Sequence, residues 1–201
     1  LGRLISGILI DTPFPIKLIG DKSLSRRDFR RVAEPLSKFG ASFHLHKNLN
    51  LPLVIRGSQK LKPIRFFENR GSAQCKSSVL FAGIKTEGKT IIKAKKSRNH
   101  TELIFKHLKL PIKIKENKNF DLIEVQKVKK IKPLNYAIPS DISSGAFFIA
   151  LTVLSKKSQL TIKNVNVNQT RTGVNDILKK MGVKINLLNK KIYKGEQIAD
   201  I

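Results

Sequence analysis

The sequence predicts an α/β fold assembled from a repeated unit of about 71 residues. Three observations carry that expectation. Helix-ending signals recur at a fixed interval: Gly40 in Ser37-Lys38-Phe39-Gly40-Ala41, Pro111 in Leu108-Lys109-Leu110-Pro111-Ile112 and Gly182 in Lys180-Met181-Gly182-Val183 stand 71 residues apart. Helix starts keep the same interval, with Arg3 71 positions before Gln74 and Ser72 71 positions before Ser143. Between these marks the hydrophobic period switches from helical to alternating and back.

Each unit reads in one order. An apolar helix comes first (Leu4 to Ile10, Ser72 to Ile84, Ser143 to Leu154) and turns into an alternating strand (Pro15 to Ile19, Thr90 to Ala94, Gln159 to Val165). A polar loop then leads to an amphipathic second helix, as Ile177, Leu178 and Met181 illustrate. One or two strands close the unit, such as Leu53 to Arg56, Asp121 to Val125 and Lys184 to Leu188. After Lys76 the helix from Ser72 is apolar on nearly every side, as a helix surrounded by protein must be. The expected architecture has internal helices, strands and outer helices, which is neither a simple βαβ Rossmann sheet nor a solenoid of short repeats.

The basic segment Lys127-Val128-Lys129-Lys130-Ile131-Lys132-Pro133 ends in proline between complete units and marks a domain boundary. Two units in residues 1–132 would form one domain and the unit in residues 133–201 the start of another. A lone third unit buries its faces poorly, and the chain opens at Leu1 directly in a helix. A piece of a longer chain is therefore expected.

Composition narrows the chemistry. With 201 residues, 40% of them hydrophobic, the chain can bury a sizeable core. No run approaches the roughly 18 apolar residues of a membrane span, and a cytoplasmic protein without a membrane anchor is expected. The single Cys75 excludes an internal disulfide, and four scattered histidines offer no ligand spacing, so a metal site is not expected. A net charge of +26, with clusters at Lys93 to Arg98 and Lys127 to Lys132, keeps a basic nucleic-acid-binding domain as an alternative. Against it, the lysines are dispersed between apolar positions, and no tryptophan and only two tyrosines are available to stack bases.

Chemistry concentrates at Gly71-Ser72-Ala73-Gln74-Cys75-Lys76-Ser77-Ser78, where small polar residues precede the buried helix. Unpaired backbone N–H groups and the positive end of the helix dipole there suit an anion, with Ser72 and Gln74 adding directional donors. An ordinary capped core helix explains the same residues. Polar loops at equivalent places in the repeat, Gly20 to Arg27 and Lys95 to Glu102, supply arginines. Arg3, Arg27 and Arg98 converging on Ser72 and Gln74 would suit a doubly anionic ligand, whereas Arg26, Arg30 and Arg31 read as a solvated face.

Five motifs carry a resemblance. Gly-Asp-x-Ser-Leu-Ser-x-Arg at Gly20 to Arg27, Ser-Ala-Gln-x-Lys-Ser at Ser72 to Ser77, Ser-Arg-x-His-Thr-Glu at Ser97 to Glu102, Ile-Pro-x-Asp-Ile-Ser-Ser-x-Ala-Phe-Phe at Ile138 to Phe148 and Asn-x-Thr-Arg-Thr-Gly at Asn168 to Gly173 resemble, in order, the EPSP synthases of the shikimate pathway. The resemblance implies a two-domain inverse α/β barrel, each domain of three units, of which this chain would be roughly the middle half. It implies a transferase that moves the enolpyruvyl group of phosphoenolpyruvate to the 5-hydroxyl of shikimate 3-phosphate, releasing phosphate, in chorismate and aromatic amino acid biosynthesis. No cofactor is implied, and a monomer is expected. Ser72, Ala73, Gln74, Ser97 and Arg98 would hold shikimate 3-phosphate, Arg27 and Gln74 phosphoenolpyruvate, with Arg3 in support. Asp141 is expected to cap the helix that follows and to contribute to domain closure. The family's acid and base residues would lie outside this chain, which alone is expected to be inactive.

Three positions depart from the family pattern. Asp28 stands where a proline usually follows the arginine matched by Arg27, and it could pair with Arg26 or Arg27 or serve the next helix. Gly145 replaces an alanine and Cys75 a small aliphatic residue. A relative acting on UDP-N-acetylglucosamine is a further alternative, although its reactive cysteine sits on a flexible loop and Cys75 lies within a helix.

Overall fold

The order helix, strand, helix, strand, strand occurs three times along the chain. In the computed structural model, which describes residues 1–46 and 49–201, the first repeat runs α1 (Gly2–Ile8), a 3₁₀ turn (Leu9–Asp11), β1 (Ile16–Leu18), the short α2 (Lys22–Ser25), α3 (Arg30–Ser37), β2 (Ser42–Leu45) and β3 (Leu53–Arg56). β4 (Arg65–Glu68) leads into the second, α4 (Ala73–Gly83), β5 (Lys89–Lys95), α5 (His100–His107), β6 (Ile112–Glu116) and β7 (Phe120–Gln126). The third has α6 (Ile142–Leu154), β8 (Val165–Asn166), α7 (Gly173–Lys180), β9 (Leu188–Tyr193) and β10 (Glu196–Asp200). Strand order repeats as well: in β1-β3-β2, β5-β7-β6 and β8-β10-β9 the last strand of the repeat lies between the other two, antiparallel to both. β4 adds a parallel edge beside β5.

Two units form by contact. One holds residues 1–97 and 109–131, the other 98–108 and 132–201, so α5 is grouped with α6, α7 and β8 to β10. In the first unit, Ile10, Phe29, Val32, Leu36, Phe39, Leu53, Ile55, Leu80, Ile92 and Ile123 are fully buried, each worth about 1.5–3 kcal/mol in area removed from water. α4 runs through this core with Cys75 to Leu80, Ala82 and Gly83 buried, as its all-round apolar pattern requires. It packs on α1, and the approach is close enough that a Cβ on Gly7 would lie 2.0 Å from the Ser78 carbonyl oxygen.

The second unit has a smaller core, in which Ile142, Ile149 and Val165 are packed by Ile162, Val174, Leu178 and Ile201. The sequence reads α6 as an internal helix like α4, yet only Ile142, Gly145 and Ile149 are buried on it. Phe147 is 80% and Leu154 84% exposed, because one repeat has too few elements to surround a helix. The segment before α6 lies on the β9–β10 hairpin, with Tyr136 and Tyr193 ring centroids 5.4 Å apart and the Ala137 N–H donating to the Tyr193 hydroxyl at 3.0 Å.

Three local expectations change. Gly40 and Gly182 have positive φ after their helices, but in the middle repeat the left-handed residue is Lys109 at φ 54°, two positions before Pro111. Proline cannot take positive φ, so the equal spacing holds for the breaker and not for the cap. Residues 184–187 do not form a strand, and β9 starts at Leu188. Lys194 and Gly195, at φ 47° and 90°, make the two-residue turn that sets the β9–β10 register; alternation through Val183, Ile185 and Leu187 selects a face but supplies no partner strand. Of Gln159 to Val165, only Val165 enters a named strand, while Ile162 exchanges backbone hydrogen bonds of 2.8 and 2.9 Å with Ile201. Among the described residues, no helix is long and apolar enough to cross a membrane.

Candidate functional site

The start of α4 is held from both sides of the chain. Glu68, at the end of β4 and buried, accepts the backbone N–H of Arg70 at 3.1 Å and of Ser72 at 3.0 Å, folding the tight turn through Gly71. Ser72 is the N-cap, its Oγ accepting from the Cys75 N–H at 3.3 Å, a contact worth about 1 kcal/mol. Glu68 is a residue that motif reasoning does not single out; its signal is a carboxylate two and four residues before the N–H groups of a helix entry.

Arg3, from α1, reaches Gln74. Its Nη1 donates to Gln74 Oε1 at 2.7 Å, its Nη2 donates to the Asp28 carbonyl at 2.9 Å, and its guanidinium lies 5.7 Å from the centroid of the buried Phe29 ring. Only the amide oxygen can accept from a guanidinium, so this contact sets the Gln74 side chain with its Nε2 donors directed away from Arg3. Burial, and then the charge of Arg31, lowers the Arg3 pKa below its ordinary value. The surroundings of Gln74 are thus cationic and partly desolvated, which strengthens any interaction with an anion.

Arg27 follows Arg26, the C-cap of α2, and its side chain is exposed. Its neighbour Asp28 accepts from the Arg30 N–H at 2.7 Å, so that carboxylate serves the start of α3, one of the two roles open to it in the sequence. Through the Asp28 carbonyl, the Arg27 loop is bonded to the same Arg3 that holds Gln74. Ser97 follows β5 closely, and a Cβ on Gly71 would meet the carbonyl oxygen of Lys96 at 3.4 Å. Its Oγ is buried without a hydrogen-bond partner among the described residues. Ser72, Ala73, Gln74, Arg3, the Arg27 loop and Ser97 therefore all belong to the first unit, while Arg98 and Asp141 belong to the second.

Asp141 is the N-cap of α6, accepting from the Ser143 N–H at 3.1 Å, and pairs with Arg171 Nη2 at 2.9 Å. Arg171 also donates to the Ser143 hydroxyl. Asn168 Oδ1 accepts from both N and Oγ1 of Thr170, fixing the turn before α7. Cys75 is buried, and burial raises its thiol pKa, leaving it a weak nucleophile.

Comparison with known proteins identifies relatives of the whole chain. The chain is 43% identical over 201 residues to 3-phosphoshikimate 1-carboxyvinyltransferase of Caldicellulosiruptor bescii, covering 99% of this chain and 46% of that protein. It is 42% identical over 200 residues to the enzyme of the same name from Endomicrobium trichonymphae, covering 99% and 45%. The chain thus spans about half the length of the curated relatives it matches. The structure superposes on EPSP synthase from Acinetobacter baumannii with a TM-score of 0.82 at 36% identity, covering 99% of this chain and 44% of that one. With the enolpyruvyl transferase NikO from Streptomyces tendae it shares the fold, with a TM-score of 0.63 at 14% identity over 97% of this chain. The model of the EPSP synthase (3-phosphoshikimate 1-carboxyvinyltransferase) family matches residues 2–199, and the chain belongs to that family.

Proposed function

We propose that the protein carrying this chain transfers the enolpyruvyl group of phosphoenolpyruvate to the 5-hydroxyl of shikimate 3-phosphate, with release of phosphate, a reading supported by its motifs and by relatives that carry the name 3-phosphoshikimate 1-carboxyvinyltransferase. The observation that carries the reading is the Arg3–Gln74 contact of 2.7 Å at the capped entry of a buried helix. It turns Gln74 into a fixed donor beside the Ser72 hydroxyl, the Ala73 peptide and the positive end of α4, a group of donors suited to a phosphorylated hydroxy acid. Ser72, Ala73 and Gln74 hold shikimate 3-phosphate in this reading, joined by Ser97 and Arg98 on the strength of their motif. Arg27 and Gln74 address phosphoenolpyruvate, and Asp141 supports through α6. Donors set before the reaction, in a site from which water is withdrawn, stabilise charge as it develops without reorganising. The protein works as a monomer in the cytoplasm, without a nucleic-acid partner, and residues 1–132 and 133–201 belong to different domains.

The test is phosphate release by the intact protein. Inorganic phosphate is expected from phosphoenolpyruvate only when shikimate 3-phosphate is also present. Release independent of shikimate 3-phosphate, or turnover with UDP-N-acetylglucosamine in its place, overturns the assignment.

A further inference from the structure

Four polar side chains of the second unit form a network that the α4 site leaves unused. Nδ1 of His100, the first residue of α5, lies 2.6 Å from Glu196 Oε1. The other carboxylate oxygen, Oε2, accepts from Asn168 Nδ2 at 3.3 Å, and the same Nδ2 donates to Oδ1 of Asn99, the N-cap residue of α5, at 2.8 Å. Glu196 and Asn168 are each only 5% exposed. A carboxylate so buried is tolerated only when its oxygens are satisfied, and both are. Because an ionised carboxylate only accepts, His100 carries its proton on Nδ1.

The partners are far apart in the chain, 96 residues for His100 and Glu196 and 69 for Asn99 and Asn168. They meet because the β9–β10 turn presses on α5. A Cβ on Gly195, at φ 90°, would stand 2.9 Å from the Leu103 carbonyl oxygen and 3.2 Å from His107 Cβ, so this approach needs glycine on both conformational and steric grounds. The hydrogen bonds all grip the first turn of α5, at Asn99 and His100, directly beside Arg98.

We propose that Glu196 and Asn168 are positioning residues that act through Asn99 and His100 to set Arg98 for the phosphate group of the substrate. The proposal rests on the function proposed above. Arg98 is exposed and adjoins the polar segment Lys95 to Ser97; without an anchor its guanidinium samples many placements. A misplacement of about 1 Å can cost on the order of 100-fold in rate, so an anchor one residue away has a large lever.

The experiment uses the intact protein. Glu196→Ala is expected to raise KM for shikimate 3-phosphate about tenfold, a change of roughly one decade in affinity, while KM for phosphoenolpyruvate stays within about twofold. Glu196→Gln, which retains an acceptor oxygen for His100, recovers most of the loss. In an Arg98→Ala background Glu196→Ala adds less than about twofold, because a residue acting through Arg98 has nothing left to act on. Hydrogen exchange at the Leu103 amide, which donates to the Asn99 carbonyl at 3.0 Å, is expected to quicken in Glu196→Ala. Full additivity with Arg98→Ala, equal shifts of both KM values or unchanged exchange overturns the proposal. Absence of turnover dependent on shikimate 3-phosphate in the unaltered protein is a different result, which overturns the function itself, and exchange in α5 still reads the network.

Discussion

Gln74 has two roles in the proposed function: its oxygen satisfies Arg3, and its nitrogen addresses the substrate. The two can be separated. Gln74→Ala in the intact protein should lower kcat/KM by about 100-fold, the scale of removing one preorganised donor. It should also cost about 1–3 kcal/mol of stability, since Arg3 loses its acceptor in a partly buried place. Gln74→Glu keeps an acceptor for Arg3 but replaces the donors with negative charge. Its urea midpoint should therefore stay near that of the unaltered protein while binding of shikimate 3-phosphate is lost. If both variants instead unfold together, holding Arg3 against α4 and not ligand contact is what Gln74 serves.

At the scale of elements, contact between helices decides which glycines are replaceable. Gly7 sits where α1 crosses α4, and the added methyl of Gly7→Ala would meet the Ser78 carbonyl at 2.0 Å. Neither helix backbone can yield cheaply, so a loss above about 3 kcal/mol is expected, measured by urea denaturation. Gly173 opens α7 with nothing within 4 Å of its would-be Cβ. Gly173→Ala should instead stabilise by about 0.4–1 kcal/mol through the unfolded chain. Identical substitutions of opposite sign, in helices of one repeat family, would show that packing and not propensity is the deciding term.

Across the whole molecule, charge sets the response to conditions. A net charge of +26 repels itself in the folded chain. Raising sodium chloride from low ionic strength to about 0.15 M, where the screening length falls to about 8 Å, should raise the thermal midpoint. Acid acts in the other direction. Burial pushes the Glu196 carboxyl upward, but hydrogen bonds from His100, Asn166 and Asn168 and the charge of His100 outweigh it, and the pKa lies below the ordinary value. A carboxylate depressed in the folded state contributes stability that is present above its unfolded pKa and is lost as pH falls through the folded one. Urea midpoints followed from neutral pH downward should decline through and below the ordinary carboxylate range, and Glu196→Gln should flatten that decline.

Sequence alone determined the repeat, the order of elements within it, the buried character of α4, the capping roles of Ser72 and Asp141 and the family, because each is written in local pattern: period, cap and motif. It also pointed to Arg3 and Gln74, 71 residues apart, through equal places in the repeat. Other features were decided by tertiary contact. The left-handed residue of the middle repeat is Lys109, since a cap is defined by backbone geometry and not by the nearest helix breaker. β9 begins at Leu188, since a strand needs a partner whose register a turn sets. Arg3 fixes the orientation of the Gln74 amide, and Glu196 meets His100, since hydrogen bonds between residues so distant in the chain exist only once the packing of helices and hairpins has brought them within reach.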